Sequence, residues 1–143
     1  MEFHKILIAI DSNPSAEIVA QSGLQLGRQF GSQIALISII DPDSIPDDHP
    51  ATPRELEDMM EHNLNQSQLN VIDKVFKKFP VTSFVEKGIP YKAIIKAAEK
   101  WGADIIVMGT HGRKGIPHLL LGSVAEDVIR HSKKNVIVIP VNN

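Results

Sequence analysis

Five short apolar runs, set between longer stretches of helical periodicity, constrain this chain more than any other feature. They fall at residues 6–10, 34–40, 81–85, 104–108 and 136–141. Ile6-Leu7-Ile8-Ala9-Ile10 and Ile105-Ile106-Val107-Met108 carry no polar alternation, the pattern of strands buried on both faces. Strand and helix alternate four times and a strand closes the chain, which argues for a parallel sheet with helices on both faces. The expected fold is therefore α/β: a single domain over residues 1–143 with an open, Rossmann-like sheet of five parallel strands, and since sheets of this kind usually reverse beside strand one, the expected order is 3-2-1-4-5.

Local punctuation supports the same division. Asp11-Ser12-Asn13-Pro14 reads as a helix start, with Asn13 as cap and Pro14 in the first turn. Ala16, Val19, Gly23, Leu26 and Phe30 then form an inward stripe that Gly31 stops. Thr52-Pro53-Arg54-Glu55 reads as a capping box with proline at the first helical position. Its helix presents Leu56, Met60, Leu64, Val71, Val75 and Phe79 on one face, interrupted by the polar Asn65-Gln66-Ser67-Gln68, and Pro80 ends it. A third long helix runs from Pro90 to Gly102 with Ala93, Ile94, Ala97, Ala98 and Trp101 inward. The last runs from about Gly122 to His131.

Composition narrows the function classes. A chain of 143 residues accommodates one ordinary domain. It has no cysteine, so disulfides, thiolate chemistry and cysteine-ligated zinc are excluded. A net charge of −2 gives no electrostatic case for nucleic acid. The N-terminal segment has neither the length nor the flanks of a signal peptide or a membrane span, and the expectation is a cytoplasmic protein without membrane insertion.

In open parallel sheets, ligands lie beyond the carboxyl ends of the strands, where the strand order reverses. Ala9, Ile10 and Asp11 leave the first strand there, and Met108, Gly109 and Gly112 leave the fourth. The loop that follows runs from Gly109-Thr110-His111-Gly112-Arg113-Lys114 to Gly122-Ser123. Glycines let backbone amides approach an anion closely, a helix N-terminus favours a phosphate, and Arg113 and Lys114 add positive charge at the mouth. The same glycines also suit a tight turn, and Ser123-Val124-Ala125-Glu126 is itself a capping-box pattern, so both readings of the loop stand on the residues alone. The loop has neither Walker A spacing nor the G-x-G-x-x-G fingerprint.

The spacing Gly109-x2-Gly112-x9-Gly122-Ser123 resembles the G-2x-G-9x-G-[S/T] motif of the nucleotide-binding universal stress proteins. Lys5-Ile6-Leu7-Ile8-Ala9-Ile10-Asp11, Leu119-Leu120-Leu121-Gly122-Ser123-Val124-Ala125-Glu126 and Val136-Ile137-Val138-Ile139-Pro140 are similar to that family as well, in order and over nearly the whole chain. The resemblance implies the adenine nucleotide alpha hydrolase-like form of the fold and binding of ATP, or of AMP or ADP. It places Asp11 on the ribose or adenine side, the backbone near Ile39 and Ile40 on the adenine edge, and the amides of Gly109 and Gly112 on the phosphates. Gly122, Ser123 and Val124 complete the cradle, and Mg2+ would sit on the phosphates. It also implies a homodimer through the last strand, an apolar edge that needs covering. Two departures stand out: Ser12-Asn13 where the family more often has Gly-Ser, and Pro117-His118 within the loop.

Competing chemistries lack their signatures. His111 and His118 share a loop with no H-E-x-x-H or paired carboxylate. Ser123 lacks a G-x-S-x-G elbow. A response-regulator phosphoacceptor would follow the third strand, which here leads into Glu86-Lys87-Gly88. An ATP pyrophosphatase-like enzyme would carry Ser-Gly-Gly-x-Asp-Ser after strand one, and a flavodoxin-like carrier a Ser/Thr-rich loop there. The leading expectation is a stress-response or regulatory module that binds an adenine nucleotide. The alternatives are a slow ATPase or pyrophosphatase-like enzyme and a dimeric interaction module that binds no nucleotide.

Overall fold

The computed structural model describes residues 3–12, 14–44, 48, 50–110 and 121–141. These form strands β1 (Lys5–Ala9), β2 (Gln33–Ile40), β3 (Val81–Lys87), β4 (Ile105–Gly109) and β5 (Asn135–Ile139). The helices are α1 (Ala16–Phe30), α2 (Pro53–Val71), α3 (Pro90–Trp101) and α4 (Ser123–His131). All strand pairs are parallel and the order is β3-β2-β1-β4-β5, as expected. Among the described residues no helix is long and apolar enough to cross a membrane.

The two layers follow from the handedness of the crossovers. The chain steps one way across the sheet from β1 to β3, then returns past β1 to β4 and β5. Right-handed connections therefore put α1 and α2 on one face and α3 and α4 on the other. Ile6 and Ile8 of β1 pack with Val19, Ala20 and Leu24 of α1 and with Val71 at the end of α2. Leu7 points the opposite way, into a second cluster with Ile94 and Ala98 of α3 and Ala125 and Val128 of α4. Alternate residues of one strand thus serve two cores, which is why the run is apolar throughout.

Several helix ends obey their local signals. Thr52 accepts the Glu55 N–H and Glu55 returns a carboxylate to the Thr52 N–H, so the capping box of α2 is complete. Gly31 and Gly102 close α1 and α3 in the left-handed region, at φ 66° and 82°. The start of α1 differs from expectation: Ser15 is its N-cap, makes no side-chain capping bond, and leaves Pro14 outside the helix, while Asn13 lies outside the described residues. Phe30 is 47% exposed, its ring packed on Phe3 at 5.0 Å, because the buried stripe of α1 runs instead through Ala20, Leu24 and Gly27.

The polar middle of α2 does not break it. Gln68 is 3% exposed and donates through Nε2 to Ser38 Oγ at 3.0 Å and to the Phe84 carbonyl at 2.9 Å. Beyond Val71 the chain widens into a π-helical turn over Ile72–Phe76. That extra residue brings Phe76 into the core at 0% exposure, off the stripe that α-helical spacing predicts. β5 ends at Ile139 rather than residue 141, because Pro140 has no N–H for the ladder.

Candidate functional site

The sheet opens where β1 and β4 part. Their pairing covers only Ile6 to Ile8 against Ile105 to Val107, whereas β1 stays with β2 through Ala9↔Ile37. β4 meanwhile follows β5 through Gly109↔Ile139. Neighbours that diverge leave a crevice between their carboxyl ends, at the point where the strand order reverses. A cleft of about 550 Å³ occupies it. That volume lies in the range of small-molecule and cofactor sites, which run from about 300 to 1,000 Å³.

Ala9, Ile10, Asp11, Ile39, Met108, Gly109, Gly122, Ser123 and Val124 all line this cleft. Gly112 and Arg113 lie outside the described residues, with the rest of residues 111–120. Val19, Ile37, Ile94 and Met108 supply apolar walls. Asp11 and Asp41 are the only ionisable groups among the described lining residues. Both follow the last residues of a strand, β1 and β2, which lie side by side in the sheet. Ser67 Oγ on α2 donates to the Asp11 carbonyl at 3.3 Å, fixing the peptide that carries this side chain.

The start of α4 borders the same cleft. The first intrahelical bond runs from the Glu126 N–H to the Gly122 carbonyl at 3.0 Å. The amides of Ser123, Val124 and Ala125 therefore have no acceptor within the helix, and all three residues border the cleft. Unpaired amides and the helix dipole make this end electropositive. Gly122 is the N-cap, at φ −71° and ψ 161°, and Ser123 is the first helical residue with no side-chain capping bond. The capping-box alternative for Ser123 is thus not what the structure contains; Glu126 pairs with Arg130 at 2.8 Å instead. The Gly122 N–H donates to the Thr110 carbonyl, so Gly122 offers side-chain-free access to its neighbours' amides rather than an amide of its own.

Gly109 ends β4 in ordinary extended backbone, which removes tight-turn geometry as the reason for a glycine there. A Cβ at this position would sit 3.1 Å from Val19 Cγ2 and 3.5 Å from Val141 Cγ2. Close approach of α1 and of the segment after β5 is therefore one job of this residue, whatever ligand it also faces.

Sequence reasoning missed Thr110, Asp41 and Ser44, which also line the cleft. The acidic stretch from Asp41 reads locally as solvated surface. Asp41 instead holds a short 3₁₀ turn over Pro42–Ser44, its Oδ1 accepting the Asp43 N–H at 3.0 Å. The strand-end rule that singled out Asp11 would have found it if applied to β2 as well.

Sheet order, cleft position and helix-end polarity define the class: a doubly wound α/β domain with a ligand-sized cleft at its switch point. The chain belongs to the universal stress protein family, whose model matches residues 2–140. It is 29% identical to universal stress protein MJ0577 of Methanocaldococcus jannaschii, over 99% of this chain and 97% of that one. The solved structure of MJ0577 superposes with a TM-score of 0.83 at 30% identity, covering 100% and 99% of the two chains. A universal stress protein in complex with cAMP shares the fold at a TM-score of 0.69 and 18% identity, over 98% of each chain. One from Archaeoglobus fulgidus in complex with dAMP shares it at 0.67 and 21%, over 97% and 99%.

Proposed function

We propose that the cleft binds an adenine nucleotide, and that this protein acts as a stress-response or regulatory module whose output depends on that ligand. One observation carries the reading: the first turn of α4, with its amides free of intrahelical acceptors, and Asp11 at the exit of β1 line the same cleft together with apolar side chains. A nucleotide has this distribution of chemistry. Its phosphates suit the amides of Ser123, Val124 and Ala125. Its ribose hydroxyls are donors for Asp11, and its flat base suits the apolar strand ends near Ile39. The resemblance of Gly109-x2-Gly112-x9-Gly122-Ser123 to the nucleotide-binding motif supports ATP, with AMP or ADP as further ligands. The cAMP and dAMP complexes of the two relatives support the adenine class.

Mg2+ would be held by the phosphates, since Asp11 and Asp41 are the only carboxylates of the described lining, too few for an oxygen cage. The reading assigns binding and no chemical step to these residues. It includes a homodimer through β5, an edge strand of the sheet whose residues Val136, Ile137, Val138 and Ile139 are only half-buried.

The test is calorimetric titration of nucleotide-stripped protein with Mg-ATP, AMP and a pyrimidine nucleotide. Saturable binding near one adenine nucleotide per chain is the expected result. Ligand at 100 times its dissociation constant then adds about 2.7 kcal/mol of stability. Neither heat nor a melting shift with any of the three would sink the reading and leave the dimeric interaction module in its place. Sedimentation velocity tests the dimer separately.

A further inference from the structure

Thr110 stands between the cleft and the end of the edge strand, and its bonds exceed what a strand exit requires. Its N–H donates to the Ile139 carbonyl at 3.0 Å, extending the β4–β5 ladder by one residue. Its hydroxyl then takes over where Pro140 interrupts the main chain. Thr110 Oγ1 accepts the Val141 N–H at 3.0 Å and donates to the Val141 carbonyl at 3.4 Å. Its own carbonyl accepts the Gly122 N–H, at the N-cap of α4. Val141 is held from the other side as well: it is 2% exposed, and its methyl groups lie against Gly109.

The geometry points to Thr110 as a positioning residue whose hydroxyl couples the end of β5, through Val141, to the peptide that sets the anion end of the cleft. This deepens the nucleotide reading and rests on it for the identity of the ligand. The physical argument is one of few degrees of freedom. A β-branched side chain has a restricted χ1, so fixing Oγ1 on Val141 also fixes the backbone that bears it. That backbone carries the carbonyl on which Gly122 hangs, and Gly122 sets where the amides of Ser123, Val124 and Ala125 point. The edge strand and the anion end are thereby joined through one side chain, with no residue of the loop 111–120 needed between them.

The test uses Thr110→Val, which keeps the shape and removes the hydroxyl, beside Thr110→Ser, which keeps the hydroxyl. Thr110→Ala serves as a second hydroxyl-free variant, and thermal melting confirms that each is folded. In ligand-free protein, amide hydrogen exchange at Val141 should rise about five- to tenfold in Thr110→Val, the loss of one net hydrogen bond. Exchange at Gly122 should rise with it, and Thr110→Ser should restore both. Faster exchange at Val141 with Gly122 unchanged overturns the coupling, whether or not any nucleotide binds. Calorimetry then compares AMP with adenosine, which lacks the phosphate. Thr110→Val should weaken AMP about tenfold and leave adenosine within twofold; equal loss for both overturns the positioning role. Should wild-type protein bind neither, the nucleotide reading fails and the exchange arm alone decides the coupling.

Discussion

Replacing Gly122 by aspartate should raise stability and abolish anion binding, a pair of opposite signs that misfolding cannot imitate. Gly122 occupies the N-cap of α4 with extended backbone angles that any residue adopts, and those angles suit a capping side chain. Aspartate in place of glycine gains a few tenths of a kcal/mol as a cap. Its charge near the helix N-terminus adds about 0.3–1 kcal/mol. Together that is about 1 kcal/mol, worth a rise of roughly 2–4 °C in melting temperature for a chain of this size.

Binding moves the other way. A capping carboxylate accepts the N–H of Val124 or Ala125, two of the amides proposed to hold phosphate, and brings a like charge beside it. At about 5 Å and an effective dielectric of about 20, that repulsion is about 3.3 kcal/mol, and one charge-assisted hydrogen bond lost adds about 1.5–3 kcal/mol. Affinity for AMP should fall at least a hundredfold. Gly122→Asn caps without charge, so it should lose only the hydrogen-bond part, about ten- to a hundredfold. Calorimetry and melting on the three proteins check both signs. Gly122→Asp that binds AMP within threefold of wild type would refute the assignment of the anion to this helix end.

Substitutions away from the cleft probe the scaffold. Lys77 lies at φ 54° and ψ −109°, the first central position of a turn in which the Phe79 N–H meets the Phe76 carbonyl at 2.8 Å. Only glycine takes those angles without strain, so Lys77→Gly should stabilise by about 1 kcal/mol in denaturant melts while Lys77→Ala does nothing. Gln68→Leu orphans the buried Ser38 hydroxyl and should cost about 1–3 kcal/mol; adding Ser38→Ala should recover part of it in a double-mutant cycle. Gly23→Ala would place its Cβ on the Ile8 side chain, 2.7 Å from Cγ1, and overpacking there should cost about 1–3 kcal/mol by chemical denaturation.

What the sequence disclosed depended on how far its cause reaches along the chain. β1 and β4 were legible because burial on both faces leaves an unbroken apolar run, and α2 because Thr52 and Glu55 cap each other over three residues. The cleft was legible through a rule about strand ends, which needs the topology but no side-chain detail. Phe76 was not, because a π-helical turn shifts the register by one residue and leaves no periodic trace. Gly109 invited a turn or a phosphate reading; its packing against Val19 and Val141 arises from residues far away in sequence. Gln68 looked like a break in an apolar stripe, since its partners, Ser38 and Phe84, lie on two other strands.

The two ends of the central strands are built for different purposes. At the amino end, the Asp104 carboxylate accepts the N–H groups of His4 at 2.8 Å and Lys5 at 3.0 Å, and the Asp104 N–H returns to the Lys5 carbonyl at 2.8 Å. Lys5 Nζ donates to the Trp101 carbonyl at 3.0 Å and lies 5.0 Å from the centre of its ring. β1 and β4 are thus laced together there. At the carboxyl end they share no register beyond Ile8↔Val107, and Ala9 and Met108 face a cleft instead of each other. Closing the sheet at one end permits its opening at the other: beyond Val107 each strand keeps only its outer neighbour, β1 pairing with β2 as far as Ala9↔Ile37 and β4 with β5 as far as Gly109↔Ile139. Substitutions at the open end therefore meet a fold that is secured elsewhere, and Ser12, in the departure from the family's commoner Gly-Ser, stands exposed at that end. Substitution at these positions leaves the sheet that presents them as it is.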